Sequence, residues 1–209
     1  MWNKIKRLVP DKGALVIDAG ACVGSHTRMF RASWPSARIL SIEPHPGVRE
    51  ELQGVCAEAG ARLFPVALGA SELADAPLLP GLSHAMVSSF FPRSDGYDGI
   101  HKLGDPIPVQ MRTLDGILEE LGWPRVDFLK MDLQGYELEA LKGAVRALSG
   151  GLVRVILSEV WWSPSYKGAP HIVELDAFLA PYGIRRLDAK VDTSEAAEGI
   201  WGDALYAVG

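Results

Sequence analysis

The sequence predicts an α/β fold: a doubly wound, mostly parallel sheet with helices on both faces. Three observations carry the prediction. Short apolar runs alternate with amphipathic helical stretches along most of the chain. Several of the runs stop at an acid, as at Asp18, Glu43 and Asp132, and glycine turns follow two of those acids at Gly20 and Gly135. Alternation of this kind implies right-handed crossovers, which leave a ligand crevice beyond the carboxyl ends of the strands. The three acids are therefore expected to face one crevice.

In chain order, Ala14 to Ala19 reads as a buried parallel strand entering a tight turn. Ser25 and Thr27 are the expected caps of a short helix whose apolar face is Met29, Phe30 and Trp34 and which Pro35 stops. Arg38 to Glu43 is a second strand; Pro44 and Pro46 break the chain before a helix through Leu52 and Val55, closed by Gly60. Ala61 to Leu68 is a third strand, placed near an edge by Pro65. From Gly69 to Val109 no period persists, and Pro77, Pro80, Pro92 and Pro106 punctuate a polar tract, so a long substrate-covering loop is expected. Thr113 caps a helix bearing Leu114, Ile117 and Leu121; Val126 to Asp132 is a fourth strand; and Leu138, Leu141, Ala144, Val145 and Leu148 form one helical stripe. Leu152 to Val160 is a fifth strand, followed by a loop with Trp161, Trp162 and Tyr166. A helix from Ile172 to Ala180 and closing strands at Ile184 to Asp188 and Asp203 to Val208 complete the reading.

With 209 residues, 48% hydrophobic and 22% charged, the chain has material for one core, so a single domain over 1–209 is expected. A net charge of −5 and no cationic cluster longer than Arg185 and Arg186 argue against a nucleic-acid partner. No apolar stretch is long enough to span a bilayer, and Cys22 and Cys56 lack the spacing of a zinc site or disulfide framework; a cytoplasmic protein without a membrane partner is expected.

The strongest chemical signal is Asp18-Ala-Gly20-Ala-Cys-Val-Gly24, a D-x-G-x-x-x-G turn between strand and helix. Its spacing and leading acid differ from the dinucleotide fingerprint. Asp18 suits a cationic amino group, Gly20 and Gly24 are expected to admit a ligand to the backbone, and the following helix N-terminus offers donors to a carboxylate. The plainer alternative is a tight turn whose glycines serve only packing. Glu43, at the second strand end, is placed to accept both hydroxyls of a ribose, with Pro44 and His45 beside the base. Asp132, in Lys130-Met-Asp132-Leu-Gln-Gly135-Tyr-Glu137, falls near the reacting centre, while Glu137 is assigned to its helix N-terminus.

The ordered segments VIDAGACVGSHT, SIEPHP, PVALGA, VQMRTLDGIL, VDFLKMDLQGYELEALKGA and VILSEV resemble the FkbM family of S-adenosylmethionine-dependent methyltransferases over nearly the whole chain. The resemblance implies the seven-stranded class I methyltransferase fold, S-adenosylmethionine as cofactor, and O-methylation of a sugar, polyketide or similar small metabolite. Ala21, Ser25 and Ala67 join Asp18, Gly20, Gly24, Glu43, Pro44 and Asp132 as the expected cofactor contacts. One departure stands out: the family commonly carries an acid where this chain has Gln134, so no acid or metal-ligand role transfers there.

Methyl transfer from an activated donor rests on positioning, and an alcohol acceptor must also lose its proton to a base. The candidate bases are His84 in the covering segment, Asp132, and Glu159 at the end of the fifth strand. Trp161, Trp162 and Tyr166 form a candidate aromatic wall, whereas His26, His101 and His171 receive no role. No spacing resembles a metal cage, so metal independence is expected, although Asp132 and Glu159 could share an ion. Three rival readings are weighed: a nicotinamide-dependent oxidoreductase, a catalytically silent nucleoside-binding module and a nucleic-acid methyltransferase, the last disfavoured by the acidic balance. A second copy of the chain, completing the pocket as a homodimer, is the remaining partner considered.

Overall fold

The structure is a computed structural model that describes residues 1–10, 12–95, 102–192 and 200–209; His101 and parts of the covering segment lie outside the described residues. The first elements are α1 (Trp2–Leu8), β1 (Leu15–Ala19), α2 (Ser25–Ser33), β2 (Arg38–Ile42), α3 (Arg49–Ala59), β3 (Arg62–Phe64), β4 (Ala67–Leu68) and β5 (Leu73–Leu78). After them come β6 (Ile107–Arg112), α4 (Leu114–Leu121), β7 (Phe128–Met131), α5 (Glu137–Lys142), α6 (Val145–Ser149), β8 (Val155–Ser163), α7 (Ile172–Leu179), β9 (Ile184–Asp192) and β10 (Ile200–Val208).

The main sheet has seven strands in the order β3-β2-β1-β7-β8-β10-β9. It is parallel from β3 through β8, and β10 joins antiparallel to both β8 and β9. Alternate residues of β1 feed two cores, which is why the run is apolar at nearly every position. Leu15, Ile17 and Ala19 face Leu114, Ile117 and Ile172, while Val16 faces Ile5, Phe30 and Trp34. Because β1 pairs with β2 on one side and β7 on the other, the strand order reverses there and a crevice opens at their carboxyl ends. Among the described residues, no helix is long and apolar enough to cross a membrane.

Several expectations are corrected. The third strand divides at Pro65: β3 closes the edge of the main sheet, whereas β4 joins a separate three-stranded sheet, β4-β6-β5. The segment expected to be irregular contributes both β5 and the start of β6 to that small sheet. Only alternate residues of these strands are buried (Ala76 and Leu78; Val109 and Met111), so the apolar signal is too thin to read beside the prolines. The helix expected over 138–148 is two helices. Gly143 lies so close to the chain at Gly69 that a Cβ would meet its carbonyl at 2.1 Å, and the Asp115 carboxylate accepts the Arg146 and Ala147 N–H groups, capping α6 anew. Trp161 and Trp162 belong to β8 rather than a loop, because pairing with β10 carries the strand to Ser163.

Two further corrections concern the ends of the first helices. Neither Ser25 nor Thr27 caps α2; its N-cap is Gly24 in the left-handed conformation, with no side-chain cap. The unpredicted α1 packs Trp2 against Phe30 at 6.1 Å and Trp34 at 5.5 Å between ring centroids, covering one core rather than the crevice.

Candidate active site

A cavity of about 380 Å³ opens where the tips of β1, β2, β7 and β8 converge. One end is walled by Gly20, Ala21, Cys22, Ser25, Glu43 and Pro44, with Val66 and Ala67 as an apolar face. The other carries Lys130, Asp132, Gln134, Glu159, Trp161 and Trp201. Residues of the covering segment, among them Met86, Val87, Phe90 and Arg93, also line it.

At the first end, Glu43 is fixed by its own backbone surroundings. Its Oε1 accepts the His45 N–H at 2.8 Å and its Oε2 the Cys22 N–H at 2.9 Å. A carboxylate has about four acceptor directions, so the group is oriented and still able to accept from a ligand. Burial raises its pKa, and the two N–H donors work against that rise. The nearby N-terminus of α2 has no side-chain cap, and Ser25 and His26 from its first turn face the cavity. An uncapped helix start presents N–H donors and positive potential to an anion.

The glycine turn behaves differently from the sequence expectation. The Gly20 and Ala21 N–H groups both donate to the Ile42 carbonyl, at 3.0 and 3.1 Å. A Cβ on Gly20 would meet the Asp132 carbonyl at 1.9 Å, and one on Gly24 would meet Val55 of α3 at 2.6 Å. Both glycines therefore admit other parts of the protein, and Gly24 does not line the cavity. Asp18 is also set back. It is fully buried, accepts the Thr27 hydroxyl at 2.7 Å and lies 3.6 Å from Lys130 Nζ, so its cation is a lysine of the protein.

Lys130 joins the two sides: it donates to the Gly20 carbonyl at 3.1 Å and stands 3.4 Å from Asp132. Burial opposes its charge, yet Asp132 and Asp18 together hold its pKa above the ordinary lysine value. Burial likewise opposes the charge on Asp132, but Lys130 and Gln134 hold that carboxyl below the usual range. Glu159 goes the opposite way. Burial, then the charges of Asp132, Glu137 and Asp203, push its pKa well above the ordinary value. Gln134 Nε2 joins the pair, 2.9 Å from Asp132 Oδ1 and 3.2 and 3.3 Å from the two Glu159 oxygens.

The structure thus brings Gly20, Ala21, Ser25, Glu43, Pro44, Ala67, Asp132 and Glu159 together on one cavity, and leaves Asp18 and Gly24 behind its wall. His84 is also outside the lining, exposed at the start of the short turn Ala85–Val87. The expected aromatic wall is only partly present: Trp161 and Trp162 alternate across β8, so Trp161 lines the cavity and Trp162 packs on the core. Sequence reasoning missed His26, Lys130, Arg93 and Trp201. For His26 a signal existed in its position in the first turn of α2; burial and the nearby Lys130 lower its pKa. Glu137 braces the β7–α5 turn, accepting the Leu133 N–H at 2.7 Å.

The model of the methyltransferase FkbM domain matches residues 18–188. The chain belongs to the FkbM methyltransferase family. Among curated relatives, the methyltransferase sdnD of Sordaria araneosa is 26% identical over 171 residues, a match covering 70% of this chain and 66% of that protein. The hexuronic acid methyltransferase AglP of Haloferax volcanii is 26% identical over 145 residues, covering 68% of this chain and 54% of its own. The match therefore spans less than two thirds of the length of these curated relatives. Solved structures share the fold. The methyltransferase FkbM from Methylobacillus flagellatus superposes with a TM-score of 0.62 at 19% identity, covering 94% of this chain and 44% of that one. The magnesium protoporphyrin IX methyltransferase ChlM from Synechocystis, solved with bound SAM, gives 0.56 at 12%, covering 99% and 77%.

Proposed function

We propose that this FkbM domain is an S-adenosylmethionine-dependent O-methyltransferase acting on a hydroxyl of a small molecule such as a sugar or polyketide. The observation that carries the reading is Glu43. Its carboxylate is pre-oriented by two backbone N–H donors at the rim of a cavity that also holds an uncapped helix N-terminus and, at its far end, two carboxylates of opposed pKa. That donor set fits a nucleoside carrying an amino-acid tail: Glu43 for the ribose hydroxyls, Pro44 and Ala67 for the base, and the first turn of α2 for the tail carboxylate. The relatives support the acceptor class, since AglP is named for a hexuronic acid, and ChlM supports the cofactor.

When bound, the cofactor supplies a methyl group on a cationic sulfur that departs as a neutral thioether. The protein's part is to align the acceptor and take its proton. Glu159 is the better base of the facing pair: burial and neighbouring carboxylates raise its proton affinity, whereas Asp132, held below the usual carboxylate range by Lys130, is a weak base and a stronger electrostatic anchor. This assignment replaces His84. A dinucleotide fits less well, because the N–H groups of Gly20 and Ala21 that a pyrophosphate would need already bond Ile42.

Calorimetric titration with S-adenosylhomocysteine and with NAD separates the readings; binding of the first and not of the second is expected, and the reverse sinks the proposal. Transfer of a labelled methyl group to a panel of hydroxylated sugars and polyketides then tests the acceptor class.

A further inference from the structure

Gln134 lies in the turn between β7 and α5, and its surroundings are unusually constrained. Its backbone is left-handed, with φ at 53°, a conformation that non-glycine residues adopt only when held there. Its carbonyl accepts the Ser89 hydroxyl at 2.7 Å. Its side-chain Oε1 accepts the Tyr166 hydroxyl at 2.8 Å, which leaves Nε2 to face Asp132 and Glu159. The opposite amide orientation would set an oxygen against two carboxylates, so chemistry fixes the orientation. Tyr166 is itself immobilised: it is buried, edge-on to Trp161 at 5.6 Å, and the Arg93 guanidinium lies 4.3 Å above its ring.

We propose that Gln134, oriented by Tyr166, is the positioning residue that holds Glu159 as the proton acceptor of the reaction. The inference rests on the methyltransferase reading above. As the acceptor oxygen bonds the methyl carbon and the carbon–sulfur bond breaks, the hydroxyl proton passes to a Glu159 oxygen, whose orientation the amide sets. A glutamate in place of Gln134 would add a third negative charge. The amide instead donates to both carboxylates, favouring the ionised form of Glu159 against neighbours that oppose it: Asp132 from the end of β7, Glu137 on α5 and Asp203 on β10. Lys130 acts in the same direction as the amide. Tyr166 also lies 3.1 Å from the Val87 carbonyl, so the anchor of the amide touches the covering segment.

The test is a carboxyl-carbon NMR titration of the full chain labelled with 13C-glutamate, with the Glu159 resonance assigned by its loss in Glu159→Gln. In Gln134→Leu the midpoint of Glu159 should rise by about one pH unit, a tenfold gain in proton affinity, because the charged form loses its donor. Tyr166→Phe, which removes one hydroxyl and so keeps the test open if the first variant misfolds, should move it in the same direction by less. Gln134→Glu should raise it further than either. An unmoved midpoint in folded Gln134→Leu or, failing that, in Tyr166→Phe overturns the assignment. Calorimetry with S-adenosylhomocysteine on the unmutated chain reports separately on the methyltransferase reading, so the two failures are distinguishable.

Discussion

The two ends of the cavity are built on different principles. At the end proposed to hold the nucleoside, Glu43 is held by main-chain donors from the glycine turn and from two residues downstream, so short motifs define its geometry. At the chemical end, Asp132, Gln134, Glu159 and Tyr166 hold one another through side chains separated by up to 32 positions. A carboxylate fixed by backbone keeps its orientation whatever its neighbours do. One fixed by side chains depends on every member of the network, and its proton affinity is set by their charges.

That contrast can be broken by mutation, and the largest effect should come at the chemical end. Lys130→Met strips the counter-ion from the fully buried Asp18 and from Asp132, and removal of one partner from a buried ion pair costs about 3–5 kcal/mol. Denaturant unfolding should register a loss of that order; a loss below about 1 kcal/mol would mean that Thr27 alone satisfies Asp18. Next in size, Glu43→Ala should weaken S-adenosylhomocysteine binding about ten- to a hundredfold while leaving the fold intact, since it removes charge-assisted hydrogen bonds worth about 1.5–3 kcal/mol. Calorimetry on the variant checks this, and unchanged affinity would remove Glu43 from the binding end.

A further effect is a pH slope. Burial raises Glu137 from 4.5 to about 7. A carboxyl raised on folding contributes stability that is fully present below its unfolded pKa and is lost as pH rises through the folded value. Thermal stability should therefore decline between about pH 5 and pH 7, and Glu137→Gln, which retains an acceptor for the Leu133 N–H, should flatten the decline. An identical slope in the variant would place the titration on Glu159, Glu43 or Asp203, whose shifts have the same sign.

The legibility of the molecule follows the same divide. The parallel strands β1, β2 and β7 were readable because each is a short apolar run ending at a turn, and Glu43 was readable because it follows one of them. The split at Pro65 and the break at Gly143 were not, since each depends on a contact with a distant segment: β6 in the first case, Gly69 and Asp115 in the second. Asp18 and Gly24 look like ligand residues in sequence because a strand-end acid and a turn glycine serve a ligand or the protein equally well. Only the positions of Lys130 and Val55 show that here they serve the protein.

By itself the sequence determined the parallel α/β sheet, the crevice at its carboxyl edge and the placement of Glu43 and Asp132 on that crevice, because hydrophobic period and turn chemistry are local properties. The tertiary structure alone decided that Gln134 bridges Asp132 and Glu159, that Trp201 joins Trp161 on the wall, and that His84 stays outside. Those relations arise from side chains brought together across the sheet, and no local period encodes which distant partner a polar group will meet.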